Sequence, residues 1–431
     1  MKINRTILED LKLWKISKKR KPLLLQGARQ VGKTFIMKAF GQAEFDEVVY
    51  VNFESSENLK ALFTNDFNIE RIVNTLAIEH SQTITATNTL IILDEIQEAE
   101  KGLTALKYFY ENAPQYYIVA AGSLLGVSMQ HKHAFPIGKV DILKLHPISF
   151  MEFAQAICEP LLYKALLQKN WTLIEPYHHT LVDALRLYYY VGGMPEAVAD
   201  YVDNRNLNSV RAIQQKIIIG YQNDFAKYAP TEIVPRLRLV WLSIISQLAK
   251  ENKKYIYGQI KNGARAKDFE LAISWLVDAG LVIKVNRVLH PKIPLNSYQD
   301  MDVFKLYLVD IGLLNAMANL DQQVLLEKNK ILIEFKGALT EQYVCQQLHI
   351  HHELYYWTAE RSIGEIDFLV QQKNKIIPIE AKAEENLKAK SLKVFAEKYS
   401  IETSLKATMN QYKQQDWVTN YALYAVGVML G

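Results

Sequence analysis

The sequence predicts an α/β protein of several domains, whose first domain is built on an open parallel sheet. Three observations lead to this prediction. The length of 431 residues suggests two to four domains of about 100–200 residues each. Apolar runs in the first third of the chain alternate with helical patterns, which is the order of βα units. A glycine-framed loop, "GARQVGKT", joins the first of these runs to the helix after it.

The composition is that of an ordinary globular chain. Hydrophobic residues make up 49% and charged residues 22%, and the net charge of +4 permits a nucleic-acid partner without indicating one. The two cysteines, Cys158 and Cys345, are far apart and form no metal or redox motif, which fits a reducing cytosol. The N-terminus lacks the apolar core of a signal peptide, and no run reaches the roughly 18 apolar residues of a transmembrane helix. We therefore expect a cytoplasmic protein with no membrane partner.

The glycine-framed loop has the pattern of a phosphate-binding loop. It matches G-x-x-x-x-G-K-[ST] at every fixed position, between a predicted strand, "PLLLQ", and a predicted helix, "KTFIMKAFG". Its glycines let backbone N–H groups close around phosphates, which the N-terminus of the helix also favours. Lys33 is expected to reach the β- and γ-phosphates, and the Thr34 hydroxyl to bind Mg²⁺. The loop therefore predicts ATP and Mg²⁺ as cofactors.

A second acidic element follows at the end of another apolar strand, in "NTLIILDEIQEAE". Asp94 is expected to bind the metal ion through water, and Glu95 to act as general base on the attacking water. The Asp-Glu pair predicts hydrolysis rather than binding alone. The next strand, "YYIVAAGS", ends at Ser123, which either senses the γ-phosphate or is an ordinary strand-end serine. Together with "EVVYVNFESSEN", these strands predict a sheet whose ligand lies beyond its carboxyl ends.

Four segments resemble the bacterial and archaeal AAA-family ATPases of the AAA_14 type. They are "GARQVGKT", "LDEIQ", "AAGSLLGV" and "FPIGKVDILKLHPISFMEF". The resemblance implies an AAA+ ATPase core with a helical lid. Within "YYYVGGMPEAV" it implies that Pro195 lies near the adenine, with a plain helix break as the alternative. Lys139 stands where many relatives carry arginine, so an arginine finger and a homo-oligomer both stay open.

These elements together define the predicted site for ATP and Mg²⁺. The nucleotide is assigned to Gly27, Ala28, Arg29, Gln30, Val31, Gly32, Lys33, Thr34, Phe35, Asp94, Ser123 and Pro195. The metal ion is assigned to Thr34 and Asp94, and catalysis to Lys33 and Glu95.

The middle of the chain has the order of a winged helix. Three helical patterns, "VPRLRLVWLSIISQLAKENKK", "YGQIKNG" and "KDFELAISWLVDAGL", precede two strand patterns, "VIKVNRVL" and "VFKLYLVD". Such a domain either contacts DNA phosphates or serves as a protein-binding module. Trp241 and Trp275 are expected in the core. The charges that would face DNA are Lys261, Arg265, Lys267, Lys284 and Arg287.

The last hundred residues carry a second acidic constellation. A helix, "FKGALTEQYVCQQL", contains Glu341, and two later strands contain Asp367 and the pair Glu380 and Lys382. Residues at i and i+2 of a strand share one face, and a hairpin would bring Asp367 beside them. Glu341, Asp367 and Glu380 are then candidate Mg²⁺ ligands, and Lys382 would orient or activate water. This arrangement is similar to the PD-(D/E)xK nuclease core, and it resembles the domain of unknown function 4143 that accompanies the AAA_14 type.

The predicted function combines these parts. The expected domains are an ATPase core (1–155), a helical lid and linker (156–229), a winged-helix-like domain (230–315) and a restriction-endonuclease-like α/β domain (316–431). We expect ATP binding and hydrolysis together with metal-dependent action on double-stranded DNA, for which Asp367, Glu380 and Lys382 are the catalytic candidates. The alternative is a nucleotide-controlled switch or scaffold whose last domain binds DNA or a protein partner without cleaving it.

Overall fold

A computed structural model describes residues 3–123, 136–250, 254–323, 333–359, 364–383 and 389–431; the side chains of Ser123 and of residues 333–335 lie outside this description. The chain divides into two compact units. The first contains Asn4–His146 together with Asp278–Gly280. The second contains Ile3, Pro147–Val277 and Leu281–Gly431.

The first unit is built on a five-stranded parallel sheet in the order β2-β3-β4-β1-β5. Every residue of the third strand is buried, as expected for a parallel strand covered on both faces. The predicted open parallel sheet is therefore confirmed. Its strands are β1 (Leu23–Gly27), β2 (Glu47–Asn52), β3 (Thr89–Asp94), β4 (Tyr117–Ser123) and β5 (Asp141–Lys144).

Helices flank this sheet and bury their apolar residues against it. The core contains Leu24, Val49, Ile91 and Ala120 from the strands, with Leu106 from a helix. Because successive parallel strands need a crossover, helices lie between β1 and β2, between β2 and β3 and between β3 and β4, whereas the first helix precedes the sheet. The helices are α1 (Ile7–Ile16), α2 (Lys33–Glu44), α3 (Glu57–Lys60), α4 (Ile69–His80) and α5 (Gly102–Asn112), and Ile96–Glu98 forms a short 3₁₀ helix.

The second unit begins with helices. Its "PISF" segment forms a capping box, because the Ser149 hydroxyl accepts from the Glu152 N–H at 3.1 Å and the Glu152 carboxylate accepts from the Ser149 N–H at 2.9 Å. This part of the family resemblance therefore starts a helix. The helices are α6 (Phe150–Ile157), α7 (Pro160–Leu167), α8 (Trp171–Ile174), α9 (His178–Val191), α10 (Pro195–Asn204), α11 (Leu207–Tyr228), α12 (Val234–Leu248), α13 (Ala266–Asp278), α14 (Ile311–Met317), α15 (Ile333–Leu348) and α16 (Lys390–Lys398).

An eight-stranded mixed sheet completes the second unit, in the order β12-β13-β11-β10-β9-β8-β6-β7. The hairpin that carries Asp367 and Glu380 forms as predicted, since β9 and β10 pair antiparallel. Its apolar face packs on Leu392 and Phe395 of α16. The strands are β6 (Val282–Val288), β7 (Gln299–Leu308), β8 (Tyr355–Thr358), β9 (Glu365–Gln372), β10 (Lys375–Ala381), β11 (Leu405–Thr408), β12 (Lys413–Gln414) and β13 (Thr419–Ala422).

The strands of the predicted winged-helix region belong to the same sheet as the strands of the predicted C-terminal domain. The two strands assigned to a wing do pair antiparallel as β6 and β7, but β6 also pairs parallel with β8. The predicted boundary between 315 and 316 therefore separates strands of one sheet. Alternating apolar residues identify a hairpin, yet they do not identify which distant strand lies beside it. Trp241 and Trp275 are buried, as predicted. Among the described helices, none has the length and apolar character to span a membrane.

Candidate functional site

Backbone geometry explains both fixed glycines of the loop at 27–34. Gly27 ends β1, and a Cβ built on it would overlap with the carbonyl oxygen of Leu145. Gly32 precedes α2 with a φ of 94°, which lies in the left-handed region that L side chains rarely adopt. The loop therefore requires glycine at these two positions for steric reasons. Its neighbour Gln30 is also left-handed, with a φ of 65°.

Lys33 is buried at the start of α2, with 7% of its surface exposed. Its ammonium donates to the carbonyl oxygens of Gly27 at 3.0 Å and Ala28 at 2.9 Å. Burial lowers the pKa of Lys33 to about 8, against the opposing effect of the Glu95 and Asp94 carboxylates. The loop thus surrounds one ammonium group with carbonyl oxygens, which compensate its charge less than a bound anion would.

Asp94 lies at the carboxyl end of β3 with 2% of its surface exposed. One oxygen, Oδ2, accepts hydrogen bonds from the Thr34 hydroxyl at 2.6 Å and the Tyr50 hydroxyl at 3.0 Å. The structure therefore brings together the two residues predicted to bind a metal ion. Tyr50 was missed in the sequence. Burial and then the Asp94 carboxylate raise its pKa to about 12, so this hydroxyl stays a donor.

Glu95 follows Asp94 in the left-handed region, with a φ of 49°. Its carboxylate accepts from the side-chain amide of Gln97, the last residue of the "DEIQ" segment. The strained backbone turns Glu95 out of the strand direction immediately after Asp94. The Glu95 carboxylate favours the charged form of Lys33 and so partly offsets the effect of burial on the pKa of that lysine.

The remaining predicted nucleotide residues have varied surroundings. Ala28 and Val31 are buried, whereas Phe35 is 61% exposed. Ser123 pairs with Gly27 through the backbone register of β1 and β4, and its side chain lies outside the described residues. Arg29 lies close enough to Lys33 to lower its pKa. The assignment of these residues to the nucleotide stays a prediction.

Pro195 belongs to the second unit, where it is the first residue of α10. The two glycines before it approach Asp310: the Gly193 N–H donates to Asp310 Oδ2 at 2.6 Å. Asp310 is fully buried, and this burial raises its pKa to about 6 in spite of the backbone donors around it. The "GGMP" segment is therefore a tightly packed junction within the second unit. The contact of Pro195 with adenine stays a prediction.

The second acidic constellation assembles around the hairpin of β9 and β10. Asp367 Oδ2 accepts from the Ala381 N–H at 2.8 Å, and Glu380 Oε1 lies 3.0 Å from the Lys382 ammonium. Glu380 is 5% exposed, and its Oε2 atom is buried without a hydrogen-bond partner among the residues that the structure describes. Burial alone lowers the pKa of Lys382, but Asp367, Glu380 and Glu341 together raise it above its ordinary value. Asp367, Glu380 and Lys382, three of the predicted residues, thus lie close together at this hairpin.

Glu341 has different partners from those predicted. Its Oε2 atom lies 3.4 Å from the ammonium of Lys305 and accepts from the Tyr307 hydroxyl at 3.1 Å. Both partners come from β7, which the sequence analysis placed in another domain. Among the described residues, no group of three His, Cys, Asp or Glu side chains is arranged to hold a metal ion. The predicted three-carboxylate set of Glu341, Asp367 and Glu380 is therefore not assembled as one ligand group.

Family models match three parts of the chain. Residues 19–154 match the AAA domain of the AAA_14 type, residues 182–324 match a domain of unknown function, DUF8612, and residues 336–425 match another, DUF4143. The first unit therefore carries an AAA ATPase domain, and ATP is its ligand. The AAA_14 and DUF4143 predictions are confirmed, whereas the DUF8612 match was not predicted. No curated protein sequence matches the chain.

Three solved structures that match this chain have low sequence identity and low TM-scores. The Walker-type ATPase PABY2304 of Pyrococcus abyssi is 13% identical with a TM-score of 0.44, over 74% of this chain and 96% of that one. Cdc6p from Pyrobaculum aerophilum is 11% identical with a TM-score of 0.25, over 72% and 92%. PCH-2 of C. elegans is 12% identical with a TM-score of 0.24, over 35% and 43%. At these scores we draw no functional argument from the likeness.

Proposed function

We propose that the first unit hydrolyses ATP with Mg²⁺, and that Glu95 is the general base. One observation carries the proposal: the Thr34 hydroxyl and the Asp94 carboxylate meet within 2.6 Å, beside a buried lysine held by the loop carbonyls. A hydroxyl and a carboxylate are hard oxygen ligands of the kind that Mg²⁺ selects. The residues present therefore fit the ion, and Thr34 and Asp94 would hold it.

Each residue has a separate part in the proposed reaction. The Lys33 ammonium would exchange its carbonyl partners for phosphate oxygens, which are better acceptors for a buried charge. Glu95 would take a proton from the water that attacks the γ-phosphorus, while the bond to the β–γ bridging oxygen breaks and ADP leaves. Mg²⁺, when bound, neutralises charge on the phosphates. Gln97 holds the carboxylate of Glu95 at its present orientation.

Glu95→Gln tests the general base. The amide keeps the shape of the side chain but accepts a proton poorly, so we expect the turnover of ATP to fall by about 10²–10⁴-fold while ATP still binds. Phosphate release and fluorescent-nucleotide binding are measured in parallel on the full chain. Glu98→Gln is the matched control, because Glu98 ends the short 3₁₀ helix that Glu95 precedes. Turnover by Glu95→Gln within about threefold of wild type would refute the role of Glu95.

A second candidate function belongs to the C-terminal hairpin, and we propose that it cleaves nucleic-acid phosphodiesters with a divalent metal ion. The orphaned Oε2 atom of Glu380 favours it, because a buried carboxylate oxygen without a donor is costly unless a cation binds there. Asp367 and Glu380 would hold the ion, as one or two carboxylates usually do for Mg²⁺. Lys382, 44% exposed at its side chain, would orient the attacking water or the phosphate.

Cleavage of labelled double-stranded and single-stranded DNA by the full chain tests this second candidate. We expect Mg²⁺- or Mn²⁺-dependent products from wild type and from Glu402→Gln, a control acid that is exposed and paired with Lys375. Glu380→Gln should form none. If wild type and Glu380→Gln give the same amount of cleaved DNA, the cleavage proposal fails. DNA binding without cleavage would then favour the alternative, a nucleotide-controlled switch. Stimulation of the ATPase by DNA would show that DNA, and not a protein partner, is the ligand of that switch.

A further inference from the structure

Lys305 is a fully buried lysine beside the C-terminal acidic residues. Its side chain has no exposed surface, and its Nζ lies 4.9 Å from the centre of the Tyr356 ring. It belongs to β7, and the register of the β6–β7 hairpin places it opposite Val285. A buried ammonium is costly unless carboxylates compensate it, so the residues around it define what it does.

Two carboxylates from different elements contact this ammonium. Glu341 of α15 approaches it at 3.4 Å, and Glu365 at the start of β9 makes a short ion pair with it. Burial alone lowers the pKa of Lys305, but Glu341, Glu365 and Asp367 outweigh it and raise the pKa above its ordinary value. The two ion pairs thus favour the charged form of this lysine. Tyr307 lies two residues further along the same face of β7, and its hydroxyl donates a second hydrogen bond to the Glu341 carboxylate.

We propose that the ammonium of Lys305 is a built-in cation of the C-terminal site, which replaces a second divalent ion and keeps Glu341 out of the coordination of the first. This inference rests on the proposed metal site of Asp367 and Glu380. Many sites that cleave phosphodiesters hold two divalent ions about 3.5–4 Å apart, which clamp the attacking and leaving oxygens. Here a lysine from β7 satisfies Glu341 and Glu365, and Glu380 keeps a carboxylate oxygen for one ion.

The charge of the cluster agrees with a single ion. Within the part of the chain that the structure describes, four carboxylates and three ammonium groups of this cluster sum to a formal charge of −1. One divalent ion brings the site to +1, which one phosphodiester group neutralises, whereas two would leave a buried excess of positive charge. The four carboxylates are Glu341, Glu365, Asp367 and Glu380, and the three ammonium groups are Lys305, Lys382 and Lys406.

Counting bound Mn²⁺ tests the inference without any activity assay. The full chain, free of nucleotide, is titrated with Mn²⁺, and the free ion is followed by electron paramagnetic resonance. The ion that Glu380→Gln removes defines the C-terminal site. We expect one such ion in wild type and in Lys375→Met, a control lysine that is exposed on β10. Lys305→Met, which removes the ion pairs to Glu341 and Glu365, should bind a second ion, and Mn²⁺ should raise its melting temperature more than that of wild type.

Glu341→Gln gives a second measurement if Lys305→Met does not fold. It leaves Lys305 paired with Glu365, so the ion should stay bound with a dissociation constant within about twofold of wild type. Loss of the ion in Glu341→Gln, two ions in wild type, or one ion in folded Lys305→Met would each overturn the inference. The absence of any ion sensitive to Glu380→Gln would instead refute the proposed metal site. The inference about Lys305 rests on that site and would fail with it.

Discussion

Alkaline pH should weaken ATP binding well before an ordinary lysine loses its proton, because Lys33 has a pKa of about 8 instead of 10.5. At pH 9.5 about 3% of Lys33 would keep its proton, compared with about 90% of an unperturbed lysine. If the phosphates bind the ammonium form, the ATP dissociation constant rises about 30-fold from pH 7 to 9.5, or about 2 kcal/mol. Fluorescent-nucleotide titrations across this range measure the change.

Lys33→Arg is the control for this pH dependence. Arginine keeps its charge throughout the range, so its ATP affinity, lower from the start, should not change with pH. Unfolding does not explain the expected loss. Since folding lowers the pKa of Lys33, the unfolded chain binds more protons between pH 8 and 10.5, and this group stabilises the fold as the pH rises. A wild-type dissociation constant that stays flat up to pH 9.5 would refute the reasoning.

Three further predictions concern single side chains. Tyr50→Phe removes a donor to the buried Asp94 carboxylate, so the Mg²⁺ concentration for half-maximal ATPase should rise on the order of tenfold; an unchanged value would make Tyr50 structural only. Asp310 has a folded pKa of about 6, above its ordinary value, so wild type should lose up to about 3 kcal/mol relative to Asp310→Asn as the pH rises from 4 to 7 in urea denaturation. Gly193→Ala places a Cβ against the Ile148 carbonyl and should destabilise by about 1–3 kcal/mol in thermal unfolding, whereas Gly258→Ala, with open space around it, should not.

The first unit was largely predictable because its signals are local. The strand that ends at Asp94 is a continuous apolar run, and the loop at Gly27–Thr34 has a fixed spacing between strand and helix. Tyr50 was not predicted because a tyrosine in a half-buried strand usually belongs to the hydrophobic core. Its role follows from the parallel register, in which the neighbouring Asn52 pairs with Asp94 at the end of the strands.

The C-terminal site was predictable only within its hairpin. Asp367 and Glu380 lie on adjacent antiparallel strands joined by a short turn, so alternation and spacing bring them together. Lys305 meets Glu341 and Glu365 across 36 and 60 residues of sequence. No spacing rule links such distant positions, because the contact depends on β6 joining β8 in one sheet. The sequence therefore indicated Glu341, Asp367 and Glu380, but neither Glu365 nor the lysine that contacts it.

The two buried lysines show how one residue type serves opposite purposes. Lys33 is held by carbonyl oxygens, which stabilise an ammonium less than carboxylates do, and its pKa is lowered. An incoming phosphate is therefore its best available partner. Lys305 is held by carboxylates, and its pKa is raised. An added anion would have to displace a buried ion pair, which costs several kcal/mol. Lys33 is thus able to bind an anionic ligand, whereas Lys305 neutralises part of the negative charge of the carboxylates around it.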